Sequence, residues 1–205
     1  METTGEEKNM KRFITFEGID GSGKSTIMQL VYSYFKKNKQ KVVKTFEPTD
    51  TPIGNLVKEC IKTQSDPFVT ALTFSADRVQ HGKQIQQWLD EGTIVLCDRY
   101  EDSTYAYQGV QLESVIDEPV KWLQQLTKDQ IPRPDCVFVF LLDPKIAIQR
   151  IQDREELIPF EQVEFLTKVQ RIYEQLSTDS FYKIVDATKP IDNIVKFCIN
   201  HIIDL

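Results

Sequence analysis

The sequence predicts a three-layer, doubly wound α/β fold: a parallel five-stranded sheet with helices on both faces. Three observations carry this reading. Five short runs rich in Val, Ile, Leu and Phe alternate with longer stretches of helical spacing. The run Val137-Phe138-Val139-Phe140-Leu141-Leu142 is apolar throughout, as expected of a strand covered by helices on both sides. The polar stretches Glu17–Thr26, Glu47–Thr51 and Asp98–Gln108 each follow such a run, at the carboxyl ends of strands where sheets of this kind place their ligands.

In chain order, residues 1–10, METTGEEKNM, are polar and acidic without the apolar core of a secretion signal, and read as a flexible tail. A strand is expected at Arg12–Glu17 and, after a glycine-rich turn, a helix at Lys24–Lys37. A second strand, Lys41–Phe46, precedes a helix at Ile53–Lys62. Asp66 followed by Pro67 supplies a cap and a first-turn proline, so a long helix is expected over Phe68–Glu91 with Gly92 as its stop. Thr93–Asp98 reads as the third strand, and Cys97–Gly109 as a polar segment at its mouth. Part of Ser114–Lys128 is helical in spacing, and Cys136–Leu142 is the fourth strand. Pro144–Arg154 is a helix running into a short lid at about 150–160, followed by a helix at Glu161–Leu176, a strand at Tyr182–Asp186 and a helix at Pro190–Ile203. A chain of 205 residues suits one domain of this type, 1–205.

Composition narrows the function. Apolar residues make up 40% and charged residues 27%, a globular mixture, and a net charge of −6 argues against extended nucleic-acid binding. No apolar run approaches the roughly 18 residues that span a bilayer. The four cysteines are scattered and the chain has only two histidines, so a zinc site is not expected and a reducing, cytoplasmic setting fits.

Gly18-Ile19-Asp20-Gly21-Ser22-Gly23-Lys24-Ser25 matches G-x-x-x-x-G-K-[ST] between a strand and a helix, with Thr26 following. The glycines let backbone N–H groups face phosphates, Lys24 reaches the terminal phosphate oxygens, and Ser25 is the expected Mg²⁺ ligand. The guanine-reading pattern Asn/Thr-Lys-x-Asp is absent; Asn38-Lys39-Gln40-Lys41 and Thr188-Lys189-Pro190-Ile191 both lack the aspartate. In "IVLCDRY" an arginine follows Asp98, where many hydrolytic ATPases carry glutamate. "CDRYEDSTYAYQG" then combines groups suited to a nucleotide: Asp98 near magnesium, Arg99 on a phosphate, Tyr107 and Gln108 on sugar or base.

"FEGIDGSGKST", "LTFSADRVQHGKQIQQWLDEGTIVLCDRYEDSTYAYQG" and "FLTKVQRIYEQL", in this order and spacing, resemble thymidylate kinase over nearly the whole chain. The resemblance implies a P-loop nucleoside monophosphate kinase fold, a homodimer, and Mg²⁺-dependent transfer of the ATP γ-phosphoryl group to dTMP. It makes Phe74 the ring that stacks on the base and Arg78 the donor to its carbonyl edge. Arg99 becomes the ligand of the acceptor phosphate, and Ser103, Thr104, Tyr107 and Gln108 the thymidine-binding set. Glu47 matches the family's Glu-Pro element. Asp20 matches an acidic position tied to the acceptor sugar and catalysis, although it can equally brace the turn.

Three departures stand out. The arginine that bacterial relatives place before Glu-Pro is Phe46 here, which shifts phosphate binding to Arg99 with Lys44, Thr49 or Thr51 as candidate helpers. Ser103-Thr104 replaces a pair of serines. Gly21 stands where some members carry an arginine, so the compensating charge is expected from Arg150 and Arg154, four residues apart before the lid. Two other readings remain open at this point: another small P-loop nucleotide or deoxynucleoside kinase, and a nucleotide-binding protein without turnover.

Overall fold

The computed structural model describes residues 11–151 and 162–205. The expected tail, 1–10, and the lid with Arg154 therefore lie outside the described residues, apart from positions 150 and 151. Five strands, β1 (Arg12–Gly18), β2 (Val42–Phe46), β3 (Ile94–Asp98), β4 (Cys136–Leu141) and β5 (Tyr182–Asp186), form one all-parallel sheet in the order β2-β3-β1-β4-β5. Eight helices are found among the described residues: α1 (Lys24–Lys37), α2 (Pro52–Lys62), α3 (Pro67–Asp90), α4 (Glu101–Leu112), α5 (Pro119–Thr127), α6 (Pro144–Ile151), α7 (Val163–Leu176) and α8 (Ile191–Ile203).

The chain steps from β1 to one side of the sheet for β2 and β3, then crosses to the other side for β4 and β5. The reversal leaves β1 between β3 and β4, so the glycine-rich turn opens into the crevice at the switch point. Register aligns the strand ends there: Phe16 pairs with Asp98, Asp98 with Phe46, and Gly18 with Phe140. The residues that leave those ends, 18–25, 47–51 and 99–108, are thereby gathered at one edge.

Helices α1 and α8 pack together over one face; α3, α4 and α7 adjoin in succession over the other. Ile14, Phe16, Phe138 and Phe140 are buried with Val31 and Phe35 of α1 and Cys198 and Ile202 of α8, while Phe13, Val95 and Cys97 pack against Ile85 and Leu89 of α3. The strand β4 is inaccessible along almost its whole length, as its unbroken apolar run requires. All four cysteines are free and buried. No helix among the described residues is long and apolar enough to cross a membrane.

The capping chemistry at residue 66 holds: the Asp66 side chain accepts from the backbone N–H of Phe68 (2.8 Å) and Val69 (3.4 Å), with Pro67 opening α3. One element corrects the sequence reading. Glu101–Leu112, taken as a polar segment, is a helix buried over nearly its whole circumference, from Asp102 to Val110. It lacks the amphipathic stripe that marks a surface helix because its polar side chains face other protein groups instead of water.

Loss of the Asp66 cap leaves first-turn N–H groups without their partner. Asp66→Ala is expected to lower the unfolding free energy by about 1 kcal/mol, read as a lower urea midpoint at unchanged slope. An unchanged midpoint would show that water replaces the cap at no cost.

Candidate active site

The phosphate loop is shaped by two approaches that only glycine allows. Gly18 (φ 138°) and Gly21 (φ 81°) adopt conformations open to glycine, and a Cβ on Gly21 would lie 2.3 Å from the Ala147 carbonyl oxygen of α6. Gly23 leads into α1, whose first residue, Lys24, is 5% exposed with its ammonium 3.8 Å from Asp20 Oδ1. Burial, reinforced by the charge of Arg99, pulls the Lys24 pKa below the ordinary lysine value, with Asp20 opposing.

Next to the loop the Ser25 hydroxyl donates to Asp98 Oδ2, and the other Asp98 oxygen, Oδ1, is buried without a hydrogen-bond partner among the described residues. A hydroxyl and a carboxylate with a spare acceptor, beside a phosphate cradle, fit Mg²⁺, which takes few protein ligands and completes its shell with phosphate oxygens and water. No group of three or more His, Cys, Asp or Glu that could hold a metal by itself occurs among the described residues.

Across the crevice, Arg99 leaves β3 in a left-handed conformation (φ 67°), costly for a side chain with a Cβ, and its N–H bonds back to the Phe16 carbonyl at 3.0 Å. Its guanidinium donates to Asp20 Oδ1 (2.9 Å), Ser103 Oγ (3.0 Å) and the Tyr107 hydroxyl (3.2 Å), and its carbon lies 5.0 Å from the Tyr107 ring centroid. Burial works against this charge, but Asp20, Tyr107, Tyr173 and Asp98 together outweigh it and hold Arg99 more firmly protonated than usual. Asp20 thus touches Lys24 on one side and Arg99 on the other.

A cleft opens between the loop, α3 and α4. Of the residues expected to bind substrate, it is lined by Asp20, Glu47, Phe74, Arg78, Arg99, Ser103, Tyr107 and Gln108. Arg78 is 1% exposed; its Nε donates to Glu47 Oε2 (2.8 Å) and its Nη2 to the Tyr100 carbonyl (3.0 Å) and Thr104 Oγ1 (2.9 Å). Nη1 makes no hydrogen bond to the described residues and is the nitrogen left for a ligand. Gln108 donates to Gln111 (3.1 Å), and its own oxygen is buried without a partner among the described residues. Thr104 does not line the cleft; its hydroxyl holds Arg78.

Several expected helpers are engaged elsewhere. Phe46 is 45% exposed on the edge strand, its ring 5.8 Å from the Lys58 ammonium, and Lys44 donates to Gln29 at 2.5 Å. The Thr49 and Thr51 hydroxyls both donate to the buried carboxylate of Asp77 (2.6 and 3.2 Å), which also accepts the Thr49 N–H. This leaves Arg99 and Arg78 as the guanidinium groups lining the cleft among the described residues. Arg150, in the last turn of α6, places Nη1 3.4 Å from the Gly21 carbonyl and Nη2 3.4 Å from that of Ala187, against the phosphate loop.

The sequence reading missed Pro48, Ile61 and Tyr100, which also line the cleft, and the supporting groups Asp77, His81 and Tyr173. Asp77 and His81 flank Arg78 on α3, and their polarity within a helix buried along one side was the available signal. Glu17 sits under α4, where it accepts from Tyr100 N–H (2.7 Å), Ser103 Oγ (2.6 Å) and Tyr173 Oη (3.2 Å). Burial pushes its carboxyl up, and does so more strongly for neighbouring Asp102, whose Oδ1 accepts from Tyr182 Oη at 3.2 Å.

The family model described as thymidylate kinase matches residues 16–198. A protein named probable thymidylate kinase from Methanosarcina barkeri is 36% identical over 197 residues, 94% of this chain and 96% of its own length. Proteins of the same name from Pyrobaculum calidifontis and Pyrobaculum aerophilum are 40% and 41% identical over 187 and 180 residues, covering 90% and 86% of this chain and 92% and 88% of theirs.

The raised pKa of Asp102 fixes the sign of a pH effect. A carboxyl whose folded pKa exceeds its unfolded value contributes stability below the ordinary value near 3.8 and loses it as pH rises through the folded pKa. Asp102→Asn removes that loss, so its urea midpoint relative to the parent is expected to climb steadily from acid to neutral pH. A difference independent of pH would mean that Asp102 titrates alike in the folded and unfolded chains.

Proposed function

Because the chain belongs to the thymidylate kinase family, we propose that it transfers the γ-phosphoryl group of ATP to dTMP at this cleft, giving dTDP and ADP. The observation that carries the reading is Asp20, which pairs at once with Lys24 of the phosphate loop and Arg99 of the acceptor cleft. Donor and acceptor sites therefore share one electrostatic junction.

ATP lays its phosphates along the N–H groups of residues 18–25, with Lys24 on the terminal oxygens and the positive end of α1 beneath them. Ser25 and Asp98 would hold Mg²⁺, which would supply charge neutralisation for the phosphates. Arg99 turns its fork to the dTMP phosphate, an exchange of one anionic partner, Asp20, for another. A phosphomonoester is largely dianionic at neutral pH, so the nucleophilic oxygen needs no strong base; what the chain supplies is alignment and charge. Arg150 on α6 and Arg154 beyond it bring positive charge toward the γ-phosphoryl group as it separates.

The base stacks on Phe74. Arg78 donates to the O4 carbonyl of thymine or uracil, so the cleft discriminates against cytosine, which offers an N–H₂ group at that position. We place the enzyme in the cytoplasm and as a homodimer, with Leu56 on α2 and Val69 and Leu72 on α3 as the covered surface. These three side chains are 48–51% exposed on adjoining helices.

An assay of ADP release with dTMP, dUMP, dCMP, UMP and thymidine, each with ATP and Mg²⁺, tests the reading. dTMP is expected to give the highest kcat/KM, and thymidine none, having no phosphate for Arg99. Arg99→Lys keeps the charge but loses the fork, and is expected to cost about a hundredfold in kcat/KM for dTMP. No turnover of dTMP alongside turnover of another acceptor would refute the assignment. Sedimentation equilibrium checks the dimer: Leu72→Glu is expected to shift the parent from twice the chain mass to one, and a monomeric parent would remove the proposal.

A further inference from the structure

A buried chain of hydrogen bonds runs from the edge strand to the guanidinium that faces the base. Thr45 Oγ1 lies 2.7 Å from His81 Nε2, His81 Nδ1 lies 2.9 Å from Glu47 Oε1, and Glu47 Oε2 accepts from Arg78 Nε at 2.8 Å. His81, Glu47 and Arg78 are 7%, 4% and 1% exposed. His81 and Arg78 stand three residues apart on α3, on one face. Trp88 packs edge-on to the imidazole, with centroids 6.5 Å apart. His81 itself does not line the cleft.

We infer that His81 is a positioning residue for base selection: by fixing the Glu47 carboxylate it holds Arg78 in the pose that leaves Nη1 for the base carbonyl. The chemistry of the chain sets the direction of each bond. A carboxylate only accepts, so His81 Nδ1 donates to Glu47, and the tautomer with its hydrogen on Nδ1 leaves Nε2 to accept from the Thr45 hydroxyl. The carboxylate is then clamped at both oxygens, one by Arg78 and one by His81.

Without the His81 bond, Glu47 keeps a single partner and regains rotation about its side-chain torsions. A guanidinium is useful for recognition only while its plane is fixed, because the discrimination between a carbonyl and an amino group rests on the direction of one N–H. The buried relay therefore acts on which base is accepted more than on the phosphoryl step, whose groups lie on the phosphate loop and at Arg99. This inference rests on the reading of the cleft as a dTMP site.

The experiment compares steady-state constants for dTMP, dCMP and ATP in the parent, His81→Phe, His81→Asn and Thr45→Val. Phenylalanine keeps the ring packing against Trp88 and removes both hydrogen bonds; asparagine can place a donor near the former Nδ1. His81→Phe is expected to raise the KM for dTMP about tenfold and to shrink the dTMP-over-dCMP preference by a similar factor, the size of a lost charge-assisted hydrogen bond, with the KM for ATP unchanged. His81→Asn should recover most of that preference. Thr45→Val should move the preference in the same direction by a smaller factor, and it supplies the reading if His81→Phe does not fold. A parent without dTMP turnover would remove the underlying assignment. An active parent with an unchanged dTMP:dCMP ratio in the folded variants, or equal losses on all substrates, would overturn the positioning role alone.

Discussion

The contact between Asp20 and Arg99 is the constraint on which the rest of the site depends. Asp20 belongs to the turn after β1 and Arg99 to the turn after β3, and the two strands are neighbours in register, Phe16 beside Asp98. Parallel pairing therefore delivers the two side chains to one place without any long connection. Each charge would be costly alone in a partly enclosed crevice, and each is partnered: Asp20 by Lys24, Arg99 and Tyr107, and Arg99 by Asp20, Ser103 and Tyr107. An arriving phosphate can replace one anion in this set by another while the cationic framework stays in place. The positive φ of Arg99 is tolerated because its N–H is tied to β1 and its side chain to three partners.

Behind that contact stands a second tier of buried polar groups that ties together the elements carrying the site. Glu17 ties the start of α4 to α7 through Tyr100, Ser103 and Tyr173, and Asp77 ties α3 to the turn before α2 through Thr49 and Thr51. Glu47 ties β2 to α3 through Arg78 and His81. Partly satisfied, such groups would destabilise the core; satisfied, they specify one arrangement of helices. Arg78 and Arg99 are thereby held in fixed relative positions by protein groups alone, which is the form of preorganisation that phosphoryl transfer rewards.

Much of this was legible in the chain. The alternation of apolar runs and helical spacing located the five strands to within a residue or two, and the Asp66-Pro67 signal located the start of α3. The phosphate loop and the Asp98–Gln108 stretch identified most of the cleft. What stayed hidden shares one physical cause. Periodicity reports contrast between a wet and a dry face, and α4 has no wet face from Asp102 to Val110. For the same reason the chain does not reveal that the Thr104 hydroxyl braces Arg78, or that Thr49 and Thr51, candidate helpers for the phosphate, both donate to Asp77. A hydroxyl in a sequence announces hydrogen bonding but not its partner, and the partners here are 26 to 28 residues away.

The departures at positions 46 and 21 are of different kinds. Phe46 lies on an edge strand with its ring outside the cleft and near Lys58, so the chain at this point supplies no charge to a bound phosphate. Gly21 is under steric compulsion. Its φ of 81° disfavours any residue with a Cβ, and that Cβ would press into the Ala147 carbonyl at 2.3 Å. An arginine at position 21 would need α6 to withdraw from the phosphate loop. The close approach that forbids a side chain there is the same one that brings α6 in, and with it Arg150, whose Nη1 reaches the Gly21 carbonyl at 3.4 Å. The contact that leaves no room for a side chain at position 21 is thus also the one that seats Arg150 beside the loop.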